Sequence, residues 1–461
     1  MASANALATI ALALFLPAIY LLMQSLGPRR GVLAALLGGW MFLPVFDGRL
    51  NLPFLSSKLT FVAGTILLAS LAFDSQRWLR LRLHWVDLAA AALCAGPFAT
   101  ALVNGLGAYE GASAAVQSFF AWTAPYLLGR VYFGEPREMR ELAVWLVGGA
   151  LLYLPLCLWE IRMSPQLHRQ LYGFHTVSSF AYVVRYGGYR PAVFMQFGLM
   201  VGTFMATGAL VAYWLWRTRA VTRFAGLPAG WCTAALAVTT LLVKSTGAII
   251  LLAGGIAILE GTRRLRHPVL MLTVTLLPVA FVAARITGWA GAEVISGAAH
   301  IQPERAESLA FRVLNEQMLV EKAMERPGLG WGRFGRSRVF DDDGRDVSVT
   351  DSLWVILLGM NGLVGLVSVA VLLLAPVLLL LGLVPARHWD HPAFAPVAAV
   401  SLGTVLFAVD CLFNAMTSPV FLAMSGATLT FHQAVQAARR RGAPAVAPRS
   451  TGTPPAVQTG A

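Results

Sequence analysis

Apolar residues in this chain come in long blocks separated by short polar punctuation. Blocks of membrane-spanning length fall near 5–26, 30–46, 59–74, 86–104, 114–133, 141–160, 191–216, 230–245, 246–260, 268–289, 352–385, 393–411 and 416–435. A helix rising 1.5 Å per residue needs about 20 apolar residues to cross a hydrocarbon core. The pattern therefore predicts an all-α polytopic membrane protein with 12 or 13 transmembrane helices, the range being set by the first two blocks, which are short and interrupted by proline.

The polar punctuation alternates in character. Arg29-Arg30, Arg77/Arg80/Arg82, Arg137/Arg140, Arg217/Arg219/Arg223, Arg263/Arg264/Arg266, Arg387 and Arg439–Arg441 form one set of basic loops. By the positive-inside bias this set is cytoplasmic. The intervening loops, including 161–190 and 290–350, then face the periplasm. The chain divides into membrane helices over 1–289, a large periplasmic loop over 290–350, C-terminal membrane helices over 351–438 and a cytoplasmic tail over 439–461. The Pro/Ala/Thr/Gly composition of the tail after Arg441 predicts disorder. The apolar stretch 6–23 has no basic flank, which argues against a cleaved signal peptide.

Composition narrows the class. Of 461 residues, 57% are apolar and 12% charged, half the charge of a soluble domain at about 25%. The net charge of +13 comes from 32 Arg and 3 Lys, mostly in the clusters between apolar blocks. It is a topological signal, and no basic groove with interleaved aromatics predicts a nucleic-acid partner. Cys94, Cys157, Cys232 and Cys411 all lie within apolar blocks without metal-ligand spacing and read as small core residues. The eight histidines show no metal pattern. No cofactor is expected.

The 290–350 loop stands apart, with 10 of the 22 acids and 8 bases; the other 400 residues carry a net +15. Within it, Glu304–Arg326 predicts an amphipathic helix with Leu309, Val313, Met318 or Leu319, and Val320 on one side, ended by Pro327-Gly328. Gly328, Gly330, Gly332 and Gly335 follow, a connector of the kind that lets backbone approach a ligand closely.

Arginine on the outer side runs against the topological bias. Arg162, Arg169, Arg185 and Arg190 occupy the first outer loop, and Arg305, Arg312, Arg326, Arg333, Arg336 and Arg338 the large one. Guanidinium forks grip phosphate oxygens in pairs, so a polyanionic ligand is one explanation; pairing with the loop's ten acids is the other. For Arg190, in Tyr-Gly-Gly-Tyr-Arg-Pro at the mouth of a span with no acid nearby in sequence, the ligand reading is stronger. Asp351, just ahead of the apolar block from Leu353, is either a base for an attacking hydroxyl or the cap of a helix, since Ser348-x-x-Asp351 has capping-box form. Lys244 in Lys-Ser-Thr marks a short outer turn between two spans near these groups. Asp341-Asp342-Asp343 reads as a solvated acidic turn ending in Gly344. Glu160 and Asp410 read as interfacial residues, and Gly198-x-x-x-Gly202 as helix packing.

Several motifs together resemble the O-antigen ligase and polymerase superfamily. They are Gly187-Gly-Tyr-Arg190-Pro191, Lys244-Ser-Thr-Gly-Ala, Ser308-Leu-Ala-Phe-Arg312, Glu325-Arg-Pro-Gly-Leu-Gly-Trp-Gly332, Val349-Thr-Asp-Ser-Leu-Trp354 and Gly359-Met-Asn-Gly-Leu-Val-Gly365. The resemblance covers about residues 115–435. It implies a metal-independent glycosyltransferase of the bacterial inner membrane, similar in fold to the lipid-dependent (GT-C-like) transferases. The donor it implies is a glycan on undecaprenyl diphosphate; the acceptor is another glycan or the lipopolysaccharide core. Arg190 and Arg312 would grip the diphosphate. Asp351 stands where the ligase members carry a histidine, which favours a polymerase of exopolysaccharide or O-antigen over a core ligase. Arg185, Lys244, Arg333 and Arg336 are the further substrate-binding candidates. A flippase and a chain-length regulator are the implied partners. A transporter or flippase of lipid-linked sugars is the alternative of another class; it predicts related halves and mid-membrane polarity, neither of which is evident.

Overall fold

The computed structural model describes residues 4–46, 57–176, 180, 183–288 and 303–441, with the side chains of 303–311 left aside. The protein is mostly helical, at 73% helix with little sheet. The first helices are α1 Ala6–Ala13, α2 Phe15–Leu26, α3 Pro28–Phe42, α4 Lys58–Phe73, α5 Ser75–Trp78 and α6 Asp87–Val103. Next come α7 Ala108–Ser118, a π-helical turn Phe119–Thr123, α8 Ala124–Tyr132, α9 Pro136–Met163 and α10 Leu167–Tyr172. The hairpin β1 Val184–Arg185 and β2 Gly188–Tyr189 leads to α11 Gly198–Arg217, and a second hairpin, β3 Arg223–Phe224 and β4 Leu227–Pro228, to α12 Ala229–Leu242. The chain continues with α13 Thr246–Leu265, α14 Val269–Ile286, α15 Pro303–Met324, α16 Leu353–Leu383, α17 Ala395–Asp410 and α18 Pro419–Arg440.

Several of these helices could span a membrane. Four are long and apolar enough, α9, α11, α14 and α16, and the pair α1 and α2, bent by 44° at Leu14, makes a fifth if counted as one span. That is fewer than the 12 or 13 that the apolar blocks predict. Hydropathy averages over breaks that the backbone makes. The 114–133 block is divided between α7, the π turn and α8. The helices α4, α6, α12 and α17 stop at 16, 17, 14 and 16 residues. At 1.5 Å per residue, 14 residues cover about 21 Å, short of a hydrocarbon core of about 30 Å.

The helices nevertheless share two common ends. At one, the basic loops meet: Arg29 and Arg30 pair with Glu138 and Glu141 at the start of α9, and Arg77 with Asp74 and Glu138. Arg140 donates to the Ala220 carbonyl, Arg217 and Arg263 share Glu260, and Arg263 also reaches Asp390. The 28 residues of α9 carry the chain about 42 Å from this basic end to the other. At that second end lie the carboxyl termini of α9, α12, α14 and α17 and the starts of α11, α13, α16 and α18.

The core lies between α11, α16, α17 and α18, where Trp214, Phe204, Phe407, Phe421 and Phe431 are fully buried. Phe407 and Phe421 stack at 4.3 Å between ring centroids. Small residues permit the closest contacts. A Cβ on Gly202 would meet Ser245, just ahead of α13, and Ala248 within it at about 3 Å, as the packing expectation for Gly198-x-x-x-Gly202 requires of its second glycine.

The loop helix expected over Glu304–Arg326 is α15, two residues shorter at its end. Its described apolar face buries Val313, Leu319, Val320 and Ala323; Leu309 lies outside the described side chains. Glu316, on the same helix, pairs with Arg285 at the end of α14 at 3.3 Å. The tail after Arg441, expected to be disordered, lies outside the described residues, as do residues 289–302 of the large loop.

Candidate functional site

The second end of the bundle is organised around Arg190. The hairpin before it reverses at Tyr186 and Gly187, with φ of 49° and 66°, the two positive values a tight two-residue turn needs. Register Val184↔Tyr189 and Arg185↔Gly188 then delivers Arg190, whose N–H donates to the Val183 carbonyl at 2.7 Å. Its side chain folds over Gly198, where a Cβ would lie 2.5 Å from Cγ of Arg190. The guanidinium reaches the carbonyl of Lys244 through Nε at 3.3 Å and Nη2 at 3.1 Å.

Lys244 sits in the break between α12 and α13, with a left-handed φ of 54°. Its ammonium donates to the Tyr186 carbonyl at 3.2 Å and packs where a Cβ on Gly188 would stand. A turn between two helices, as expected at Lys244, thus exists, and it faces the Arg190 hairpin.

Residues 191–195 are held from below. Glu160, near the end of α9, accepts from the N–H groups of Ala192 at 2.9 Å and Val193 at 2.7 Å with one oxygen, and from Leu167 at 3.0 Å with the other. The Lys58 ammonium donates to the Phe194 carbonyl at 2.8 Å, and the Tyr153 hydroxyl accepts from the Phe194 N–H at 3.0 Å. Glu160 is 1% exposed, so the expectation of an ordinary interfacial residue is corrected: its carboxylate answers backbone donors of a loop that carries Val193 at a φ of 52°. Asp410 is corrected likewise. It is buried, accepts from the Thr203 hydroxyl and the Asn414 amide, and stands beside Gly247 at the start of α13.

Electrostatically, Arg190 is a cation with no carboxylate partner among the described residues. Burial, followed by the positive charge of Arg185, pulls its guanidinium below the ordinary arginine value, opposed by Tyr186. Arginine stays charged regardless. A half-buried guanidinium whose side-chain acceptor is a neutral carbonyl retains capacity for an anion.

A second charged group lies at the top of α16. Asp351 stands 3.6 Å from Arg312 of α15, both side chains about half exposed. The helix cap is Ser352, and Asp351 makes no cap; the capping account of Asp351 is thereby corrected. Leu353 N–H donates to the Cys411 carbonyl at 3.1 Å, which joins this pair to the loop following Asp410 and so to the Lys244 side of the site. Below it, an open apolar groove of about 220 Å³ runs between α14, α16 and α17, lined at its upper part by Ile286, Leu353, Trp354, Cys411 and Leu412.

Of the remaining candidates, Arg185 is exposed on β1, near enough for its charge to act on Arg190. Arg333 pairs with Glu110 of α7 at 2.9 Å, and Arg336 makes no ion pair among the described residues. Pairing with the loop's own acids accounts for Arg338, with Asp346 at 2.5 Å. Asp341 accepts from the Arg345 N–H in a turn that closes on Gly344.

The glycine connector approaches backbone of the protein closely. Gly362 breaks α16 with a φ of 61°. Into that break, Trp331 and Gly332 donate to the carbonyls of Gly359 and Met360, and Leu363 to that of Pro327. The Thr100 hydroxyl and Asn104 amide of the α6 end hold the Leu329 and Gly330 carbonyls at 2.7 and 3.0 Å. A Cβ on Gly330 would lie 2.6 Å from the Gly362 nitrogen, which is why both positions carry glycine. The two motifs around Gly328 and Gly362 are two halves of one joint.

Sequence reasoning missed Glu160, Lys58 and Gly198 as determinants of Arg190. Charged residues in or beside apolar blocks were the available signal, but the partners that tie them to the Arg190 segment lie 30 or more positions away. Among the described residues no group of three or more metal-ligating side chains converges. The arrangement defines a mostly helical protein with several apolar helices that could span a membrane and a cationic site at one helix end. No family model matches the chain, and no curated protein matches it.

Proposed function

We propose that the chain is a bacterial inner-membrane glycosyltransferase of the O-antigen ligase and polymerase type, using a glycan on undecaprenyl diphosphate as donor. The observation that carries this reading is Arg190, a half-buried guanidinium with no carboxylate against it among the described residues. Arg312 beside Asp351, above an open apolar groove, adds to it. In this reading the basic end is cytoplasmic, with the C-terminus, and the large loop over 290–350 is periplasmic. The alternating helix directions support more crossings than the long helices alone, in a GT-C-like arrangement.

The chemistry is a single displacement. An acceptor sugar hydroxyl attacks the anomeric carbon of the donor, the bond from that carbon to the phosphate oxygen breaks, and the diphosphate departs with the electron pair. Asp351 takes the hydroxyl proton. Arg190 and Arg312 meet the negative charge that develops on the leaving group, with Lys244 and Arg185 on the same rim. The placement of Asp351 favours a growing glycan over the lipopolysaccharide core as acceptor.

The test is the glycan left on lipid carrier in a deletion strain. Single repeat units indicate a polymerase, and long unattached chains indicate a core ligase. Repeat units trapped on the cytoplasmic face would replace the enzyme with a flippase.

A further inference from the structure

The basic end holds a second site, independent of the first. A cleft of about 350 Å³ opens between the α5–α6 connection, α8 and the end of α18, lined by Arg77, Arg80, Arg82, Arg130, Thr430 and Gln433 among others. Its guanidiniums divide into two kinds. Arg77 is matched by Asp74 and Glu138, and the fully buried Arg130 by Asp87. Glu135, also on the wall, caps the start of α9. Arg80 and Arg82 are exposed and make no ion pair among the described residues. Arg439, Arg440 and Arg441 follow the cleft-lining Ala437 at the end of α18.

The cleft is fixed from behind. Arg130 donates to the Arg82 carbonyl at 2.5 Å and to Gln433 at 3.0 Å, and its Nε to the Thr430 hydroxyl at 2.9 Å. The backbone at Arg82 is therefore anchored while its side chain is not. Around the arginines, Leu79, Leu83, Trp85 and Leu88 are 83%, 81%, 52% and 71% exposed. Apolar side chains that alternate with arginines between two apolar helices, α4 and α6, suit the boundary between headgroups and acyl chains.

We propose that this cleft binds the headgroup of an anionic phospholipid, with its phosphate on Arg80 and Arg82 and its chains against Leu79, Leu83 and Trp85. The exposed leucines favour a lipid over a soluble phosphate, and basic pockets between membrane helices take such headgroups.

The experiment uses the full chain in nanodiscs of phosphatidylcholine doped with phosphatidylglycerol or cardiolipin, with retained lipid counted by native mass spectrometry. Wild type should keep one anionic lipid in preference to phosphatidylcholine. The double variant Arg80→Gln, Arg82→Gln should bind it about thirtyfold more weakly. It should fold normally, because Arg82 supports the fold through its carbonyl. Arg219→Gln, Arg223→Gln, at the same end but outside the cleft, should bind as wild type does. Equal retention by the double variant, or equal loss from the control, overturns the site. Displacement of the lipid by inorganic phosphate at millimolar concentration overturns the lipid as its occupant. Leu79→Ser, Leu83→Ser gives a second reading: it should lower lipid retention with both arginines in place, and unchanged retention counts against the proposal.

Discussion

Glu160 receives the N–H of Val193 at 2.7 Å, although 33 residues separate them. The bond ties the end of α9 to the segment that carries Arg190, so a buried acid that never faces the site fixes the site's principal cation. Replacing Glu160 with alanine leaves three backbone donors, at Leu167, Ala192 and Val193, without their acceptor. Each unanswered buried donor costs about 1–3 kcal/mol. Glu160→Ala should therefore lower the thermal midpoint in detergent by more than any single change at Arg190, and Glu160→Gln, which keeps one acceptor oxygen, should fall between it and wild type.

Gly198→Ala tests the seat of Arg190 without touching its charge. The new Cβ would lie 2.5 and 2.6 Å from Cγ and Cδ of Arg190 and 2.8 Å from the Pro191 carbonyl. Either Arg190 moves or the start of α11 shifts, at a cost of about 1–3 kcal/mol. Polymer formation should drop sharply, as it should in Arg190→Ala, while Gly254→Ala, with open space around it, leaves both stability and activity unchanged. Full activity in Gly198→Ala would show that the Arg190 position does not matter to turnover.

At the top of α16 the cap and the acid are separate residues, which makes Asp351 a clean target. Asp351→Asn removes a half-exposed pair with Arg312, worth about 0–1 kcal/mol, and leaves the Ser352 cap position alone. Stability should hold, and polymer synthesis should fall about a hundredfold or more if the carboxylate takes the proton. Arg312→Ala should lose activity as well, with the protein still inserted in the membrane. An active Asp351→Asn would leave the residue only its ion pair.

The sequence makes parts of this legible and hides others for physical reasons. Apolar blocks, the loop helix α15 and the alternation of basic loops depend on local periodicity and charge, and each is visible in a window of some 20 residues. Tyr-Gly-Gly-Tyr also holds the local signal of the hairpin before Arg190, a turn that the all-α reading does not include. What stays hidden depends on distant partners. Glu160 and Asp410 look like acids at helix ends until the folded chain sets Val193 and Thr203 against them. Gly328–Gly332 looks like a loose connector until Gly362 opens the helix that receives it. The number of full-length helices is hidden too, because averaged hydropathy does not register the break at Leu14 or the π turn after Ser118.

That joint offers a further test. At Gly330 and Gly362 the backbone is left-handed, with φ of 73° and 61°, and each would place a Cβ against the other's segment. Alanine at either carries about 1–3 kcal/mol of conformational cost in addition to the clash. Gly330→Ala and Gly362→Ala should each loosen the chain from Pro327 to Gly332, seen as faster amide exchange at Trp331 and Gly332, whose N–H groups bond into the break. Gly335→Ala, with nothing within reach, should leave exchange as it is.

Glu316 gives a pH dependence of definite sign. Burial raises its carboxyl above the ordinary glutamate value, with Arg285 opposing the shift. Between the ordinary value and the raised one, the folded protein holds a proton that the unfolded chain has released, so stability falls as pH rises through that interval. Below it, a protonated Glu316 and a glutamine are electrically alike. Glu316→Gln should therefore match wild type near pH 4 and become the more stable of the two as pH rises toward neutrality. Thermal midpoints across that range decide it. If Glu316→Gln is the less stable protein at neutral pH, attraction to Arg285 outweighs the burial of the carboxylate, and α15 is held to α14 by charge rather than by its apolar face.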